Sequence, residues 1–369
     1  MAGPLAGLRV LDVATVIAAP GAARYLADFG ADVLKVERPD GGDSTRTLGL
    51  PDPRDGTSLY WKLVSRNKRC VTLDLKSDQG RETALRLAGE AHVLVENFRP
   101  GTLERLGLGP DVLFERNPRL VVCRVTGFGQ DGPYAQRPGF ATLAEAMSGF
   151  AAVNGEPDGG PLLPPIALAD ELTAVVAAFS IMSALWSGVG QVLDVNLLDS
   201  LLQCMGPLPG AYGATGYLQP RMGSALPYSV PRGTWRCGDG RWVAVSASAE
   251  SVGRRVMALL GLGDREDLRS FGGRIAARDE IDARIAEFCA ARTLDEVVAA
   301  FEEAQAAAGP VYDMKDLFAD PHVQERKSIV EVDGVHMPGL VARLSRTPGE
   351  IRWAGRPLGE DDPPEWLPA

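Results

Sequence analysis

Histidine is nearly missing from this chain. Three occur in 369 residues, His92, His322 and His336, all far apart in sequence. That is too few for the histidine-rich metal site of a zinc hydrolase. The five cysteines (Cys70, Cys123, Cys204, Cys237, Cys289) form no CxxC pair and no metal-ligand spacing. They read as buried thiols of a reducing compartment. No GxSxG elbow supplies a nucleophilic serine. Long apolar runs are also scarce. The most apolar, Leu172–Trp186, is broken by Thr173, Ser180 and Ser183 and falls short of the roughly 20 residues of a bilayer span, so a buried helix is the expectation. The start, MAGPLAGLRVLDVA, lacks the basic and apolar regions of a signal peptide. Positive charge is short too: 38 Lys and Arg face 48 Asp and Glu, a net charge of -10. No general basic surface for nucleic acid is expected. Together these absences predict a soluble cytoplasmic protein without a metal, a membrane or a nucleic acid as partner.

What is present is ordinary globular material, 45% hydrophobic and 23% charged, in a chain long enough for two or so domains at roughly 150 residues each. The apolar run Leu8–Val13, a helical spacing over Gly21–Phe29, a C-cap glycine at Gly30 and a second strand Ala31–Glu37 make a βαβ unit. Strands at Cys70–Leu75, His92–Glu96 and Leu120–Thr126 alternate with helical stretches at 78–91 and 103–117. The fold class expected is therefore α/β with a doubly wound parallel sheet. A Gly/Pro-rich stretch from Gly127 to Pro165 precedes an apolar helix from Asp170 to about Trp186 and a strand Val192–Val195. Pro207–Pro231 reads as an inter-domain connection. A hairpin over 233–248 turns at Gly238-Asp239-Gly240, Ala/Glu/Arg-rich helices follow, and strand-like pieces close the chain.

The residue groups that carry chemistry are few. Glu37 stands about where a ribose-binding acid of a dinucleotide fold would, but the loop ATVIAAPGAA holds one glycine and a proline. NAD or FAD binding loses its mechanism, and Glu37 is expected to pair with a neighbour. Arg66, Lys68, Arg69 and Lys76, with Lys35 and Arg38 nearby, form a basic cluster in an acidic protein. A solvated charged face or a phosphate site would account for it. Asn97, Arg99 and Arg105 lie just past a strand end, the edge where open α/β sheets bind ligands, and shift the balance towards a phosphate-bearing ligand. Asp170, between PPIALA and the apolar helix, reads first as an N-cap. Its alternative role is that of a carboxylate nucleophile.

Several long segments, taken in order, resemble the family III CoA-transferases, which include formyl-CoA transferase, the carnitine CoA-transferases and α-methylacyl-CoA racemase. They are GPLAGLRVLDVATVIAAPGAARYLADFGADVLKVERPDGGDSTR, NKRCVTLDLKSDQGRE, VENFRPGTLERLGLG, NPRLVVCRVTGFGQDGPYAQRPG, GQVLDVNLLDSLL and GPVYDMKDLFADPHVQER. The resemblance implies a large CoA-binding α/β domain (1–205, completed by 328–369), a linker (206–230), and a smaller α+β domain (231–327). It also implies a homodimer of interlocked rings. It makes Arg38 and Lys76 contacts of the CoA phosphates, Asn97, Phe98 and Arg105 further CoA-site positions, and Ala18 a point of approach in the first loop. It makes Asp170 the catalytic nucleophile, forming an aspartyl anhydride and an aspartyl-CoA thioester as CoA passes from an acyl-CoA donor to a carboxylic acid. Coenzyme A then enters as substrate, and neither a metal nor a redox cofactor is implied. The alternative within the family is an acyl-CoA racemase or isomerase, and a non-catalytic CoA-binding partner subunit is the reading from another class.

Three departures from the family pattern stand out. The racemases follow the PxG glycine with histidine and aspartate, whereas Gly139 is followed here by Phe140-Ala141, which argues against racemisation. Phe140, in the substrate pocket by this resemblance, lacks the hydroxyl of the tyrosine often found there. Glu171 follows Asp170 where a small or apolar residue is usual, so two adjacent carboxylates would raise one pKa. No glycine-rich covering loop is evident around Gly206–Gly223.

Overall fold

The computed structural model describes residues 3–367. The chain divides into two compact units. The first takes the residues up to Phe150, then Pro164–Gly206, then those from Pro321 on; the second takes Ala151–Leu163 and Pro207–Asp320.

In the first unit, short runs of Val, Leu and Ile become strands buried on both faces. These are β1 (Arg9–Asp12), β2 (Asp32–Glu37), β3 (Arg69–Thr72), β4 (Val93–Glu96), β5 (Val121–Thr126) and β6 (Gln191–Asn196). All five pairings are parallel, in the order β3-β2-β1-β4-β5-β6. Helices cover both faces, with one core cluster on each side of the sheet. They are α1 (Ala18–Asp28), α2 (Leu59–Val64), α3 (Asp78–Glu90), α4 (Thr102–Arg105), α5 (Pro110–Arg116), α6 (Ala141–Met147), α8 (Leu168–Ser187) and α9 (Leu197–Leu202), while α7 (Phe150–Val153) belongs, all but its first residue, to the second unit. The doubly wound parallel sheet expected from the βαβ pattern is what forms. The C-terminal segment runs beside the edge strand β3, where Asp361 and Asp362 accept from the Cys70 and Thr72 amides at 2.8 and 2.9 Å. An exposed strand edge is thereby covered.

Helix α8 lies along α1. A Cβ on Gly21 would stand 2.8 Å from that of Ala174, so glycine is what lets the two helices approach so closely. Their alignment sets where the first turn of α8 points.

The second unit joins β7 (Arg232–Arg236), β8 (Trp242–Ser246) and β9 (Ala307–Pro310) in an antiparallel sheet. Val243, Val245, Ile281, Ile285, Val297 and Phe301 are in its core. Its helices include α10 (Leu208–Thr215), α11 (Glu250–Leu259), α12 (Phe271–Ala276), α13 (Arg278–Ala290) and α14 (Leu294–Glu303).

Several expectations need adjusting. Helix α1 starts at Ala18, three residues before the expected Gly21 and outside the loop proper, because Pro20 falls in the first turn, where a missing N–H costs nothing. The segment expected as a linker carries α10, and all of it after Gly206 belongs to the second unit. Strand β9, AAGP, has no alternating signature and pairs only because β8 offers an edge. Cys204 is exposed, unlike the other four cysteines. Helix α8 begins at Leu168 and reaches 20 residues, long and apolar enough by length and composition alone to cross a membrane. Its first turn holds Asp170 and Glu171, and one face is in the first unit's core; the other face, with Phe179 and Trp186, is exposed, so the buried-helix reading holds for one side only.

Candidate active site

The order of strands places β1 beside β4, and the chain leaves them in opposite directions along the sheet. A crevice must open at their carboxyl ends, where doubly wound sheets take ligands. Two cavities occupy it. The first, about 410 Å³, is lined by Thr15, Lys35, Arg38, Asp74, Lys76 and Phe98, among others. The second, about 320 Å³, includes Thr15, Ala18, Asn97, Phe98, Arg99, Arg137, Phe140 and Asp170. Thr15 and Phe98 line both.

The loop after β1 forms the wall common to the two. Asn97, just past β4, accepts from the Thr15 amide at 2.8 Å and donates to the Thr15 carbonyl at 2.6 Å. The next residue, Val16, has φ of 70°, a left-handed conformation that strains a β-branched residue. It is held there by Asp43, which accepts from its amide at 3.3 Å. Beneath the loop lies a buried charge network. Lys68 Nζ reaches Asp12 at 2.8 Å and the Pro20 carbonyl at 2.6 Å, and Lys35 Nζ reaches Asp43 at 2.9 Å and the Ala14 carbonyl. Burial alone would lower the Lys35 ammonium, but Asp12 and Asp43 outweigh it and the pKa is raised. Burial lowers that of Lys68.

Opposite this wall stands Asp170, in the first turn of α8. None of the described residues donates a hydrogen bond to its carboxylate or pairs with it. Burial first, then Glu145 and Glu171, push its pKa up to about 6. A helix N-terminus favours a carboxylate, yet here burial and two like charges prevail. The adjacency of Glu171 acts in the foreseen direction, but it is the smallest of the three causes. Glu171 is drawn to Arg24 at 3.1 Å and to the Tyr25 hydroxyl at 3.2 Å.

The basic cluster resolves into two groups. Arg66 pairs with Asp28 at 2.6 Å, Lys68 with Asp12 at 2.8 Å and Arg69 with Asp32 at 2.9 Å. Arg66 and Lys68 are buried, so these three are neither a solvated face nor an anion site; they hold the fold together. Only Lys76 of that segment lines a cavity, with Arg38 across from it. Arg105 lines neither, and its guanidinium turns back to the Thr102 hydroxyl at 2.7 Å. Glu37 is paired as expected, with Arg46 at 2.7 Å.

Arg137 and Glu145 were not singled out from the sequence, and Arg99 was noted only for its place past a strand end. Arg99 and Arg137 are exposed cavity residues that form no ion pair among the described residues. Arg137 stacks 3.9 Å from the Tyr134 ring centre. The loop bearing Arg137 is fastened by Gly139, since a Cβ there would lie 2.6 Å from the Gly127 Cα. Gly139→Ala should therefore destabilise the protein by about 1–3 kcal/mol, measurable by urea unfolding, and weaken binding in the second cavity. Wild-type stability in that variant would show that the two backbones need not touch.

The sequence matches the family model described as CoA-transferase family III over residues 5–362. The chain is a family III CoA-transferase. It is 41% identical to a succinyl-CoA–L-malate CoA-transferase beta subunit of Chloroflexus aurantiacus, over 97% of this chain and 92% of that protein. Against the human succinyl-CoA:glutarate CoA-transferase the identity is 33%, over 93% of this chain and 81% of the relative. Among solved structures, a CaiB/BaiF family protein from Brucella suis superposes with a TM-score of 0.86 at 32% identity, covering 98% of this chain and 97% of the other. This CoA-transferase thus moves CoA between carboxylic acids, with acyl-CoA as one substrate. Among the described residues no group of three His, Cys, Asp or Glu side chains is placed to hold a metal ion.

Proposed function

We propose that Asp170 is the nucleophile of CoA transfer and that the two cavities divide the substrate between them. The carrying observation is a half-buried carboxylate without a hydrogen-bond donor, facing a cavity that adjoins a second one bearing Arg38 and Lys76. Arg38 and Lys76 supply cations for the CoA phosphates. Phe98 and the Thr15 wall, braced by Asn97, guide the thiol arm past Ala18, and Arg105 stands outside the pocket as a rim charge.

The steps balance without redox or net proton transfer. An Asp170 oxygen attacks the thioester carbonyl, the C–S bond breaks, and CoA thiolate leaves an acyl-aspartyl anhydride. The thiolate attacks the aspartyl carbonyl, releasing the donor carboxylate and leaving an aspartyl-CoA thioester. The acceptor carboxylate attacks that carbonyl and expels thiolate. The thiolate then takes the acyl group, freeing Asp170. Succinyl-CoA is the donor proposed and a small dicarboxylic acid the acceptor, because relatives are named for succinyl-CoA with malate, citramalate or glutarate. Arg99 and Arg137 are the cations available to a second carboxylate. The test is intact mass after succinyl-CoA plus hydroxylamine: a hydroxamate on Asp170 is expected, and an unmodified Asp170 beside continuing transfer would refute the assignment.

The nucleophile must be ionised. With a pKa of about 6, transfer should rise from about pH 5 and level off above about pH 7. A rate still at its plateau at about pH 4.5 would contradict this site's electrostatics.

The homodimer is also proposed, as interlocked rings. One side of α8 presents Val175, Phe179, Met182 and Trp186, the last 93% exposed, and an apolar groove of about 470 Å³ runs beside it between Tyr25, Phe179 and Leu344. Such a patch needs covering. Light scattering of the purified chain should give twice the chain mass; a monomer, or mass gained only with a different chain, points to the subunit pairs after which some relatives are named.

A further inference from the structure

Glu145 projects from α6 and is 3% exposed. Its one side-chain hydrogen bond among the described residues is accepted from the Ala169 amide at 3.3 Å, immediately before Asp170. It takes part in no ion pair there. A buried carboxylate without a counter-ion is costly, and a glutamine would accept the same hydrogen bond without that cost. The hydrogen bond therefore explains the position and not the charge.

We propose that Glu145 is a positioning residue that holds the first turn of α8 and, through its negative charge, strengthens Asp170 as a nucleophile. The inference rests on Asp170 being the nucleophile. Among the other charged and titratable groups around Asp170, Glu171 pushes in the same direction but less than Glu145. Glu171, on α8 itself, is drawn to Arg24 and Tyr25 of α1. Tyr60 of α2 contributes a neutral hydroxyl whose own pKa is raised by burial, then by Glu171 and Asp170. Arg99 and Arg137 are exposed cations of the cavity and act in the opposite sense. After burial, Glu145 is the largest contributor to the upward shift of Asp170. A more basic carboxylate attacks a thioester faster, and one with a pKa of about 6 is still mostly ionised at neutral pH. The reaction moves no net proton, so the charge is not spent as an acid or a base.

The test compares E145Q and E145D with wild type in the full-length enzyme. Each is followed by kcat/KM from about pH 5 to about pH 8 and by hydroxylamine trapping. E145Q should fold and still trap a hydroxamate. Its acid limb should move down by roughly half a unit and its plateau fall by roughly two- to fivefold. E145D keeps the charge, and its limb should stay nearer wild type than that of E145Q. An E145Q profile superimposed on wild type, with Asp170 still trapped, would overturn the role of Glu145 and leave the nucleophile standing. Absence of trapping in wild type would strike the nucleophile instead. An E145Q that does not fold, or an E145D that shifts more than E145Q, would make Glu145 a purely structural acceptor and overturn the proposal.

Discussion

Asp170→Asn is expected to lower kcat by roughly 10⁴-fold or more while making the protein more stable. The first effect follows from the proposed role of Asp170 as the group that captures the acyl carbon. The second follows from the sign of its pKa shift. Asp170 is raised from 3.8 to about 6 in the fold, so its favourable contribution is complete below about pH 4 and is lost as pH rises through about 6. At neutral pH the ionised side chain costs on the order of 1–3 kcal/mol, and an amide of the same shape escapes that cost. The melting temperature of the variant should exceed that of wild type by a few degrees at pH 8 and match it near pH 4. Equal melting curves at both pH values, or residual transfer within tenfold of wild type, would contradict this account.

Lys68→Met should act in the reverse direction. Its ammonium is buried, 2.8 Å from Asp12 and 2.6 Å from the Pro20 carbonyl. Removing it strands Asp12, for which Lys35 remains only at 3.9 Å. Breaking one side of such a pair costs about 3–5 kcal/mol, readable as a large fall in the urea midpoint. Activity should fall further than stability accounts for, because the same lysine ties down the start of α1 beside the Thr15–Ala18 wall. The double variant Asp12→Leu with Lys68→Met should recover part of the stability, since neither charge is then left alone. A fall of less than 1 kcal/mol in the single variant would mean that water reaches Asp12.

The legible part of the fold and the site is the part written in local patterns. Runs such as LRVLDV and LVVCRV, separated by helical spacing, carry a parallel sheet because strands buried on both faces must be apolar throughout. The family segments were legible for the same reason, being contiguous stretches of loop and strand end. Arg38, Lys76, Asn97, Phe98, Phe140 and Asp170 all fall on the crevice. Strand β9 and helix α10 were not legible: AAGP has no alternation of its own and pairs only with a preformed edge, and the LPGAYGAT of α10 reads as loop by its proline and glycines.

By itself the sequence determined the alternation of strand and helix, the family, and the short set of polar residues at strand ends, because each of these is carried by neighbours along the chain. Only the tertiary structure decided which cations are free. Arg66, Lys68 and Arg69 pair with acids 38, 56 and 37 residues away in the chain, whereas Arg99 and Arg137, which line the same cavity as Asp170, form no ion pair among the described residues. It likewise decided that Glu145, 24 residues before Ala169, sits against the first turn of α8, which bears Asp170. Electrostatic interaction depends on distance through space and on burial, and neither is encoded in the spacing of residues along one strand or helix.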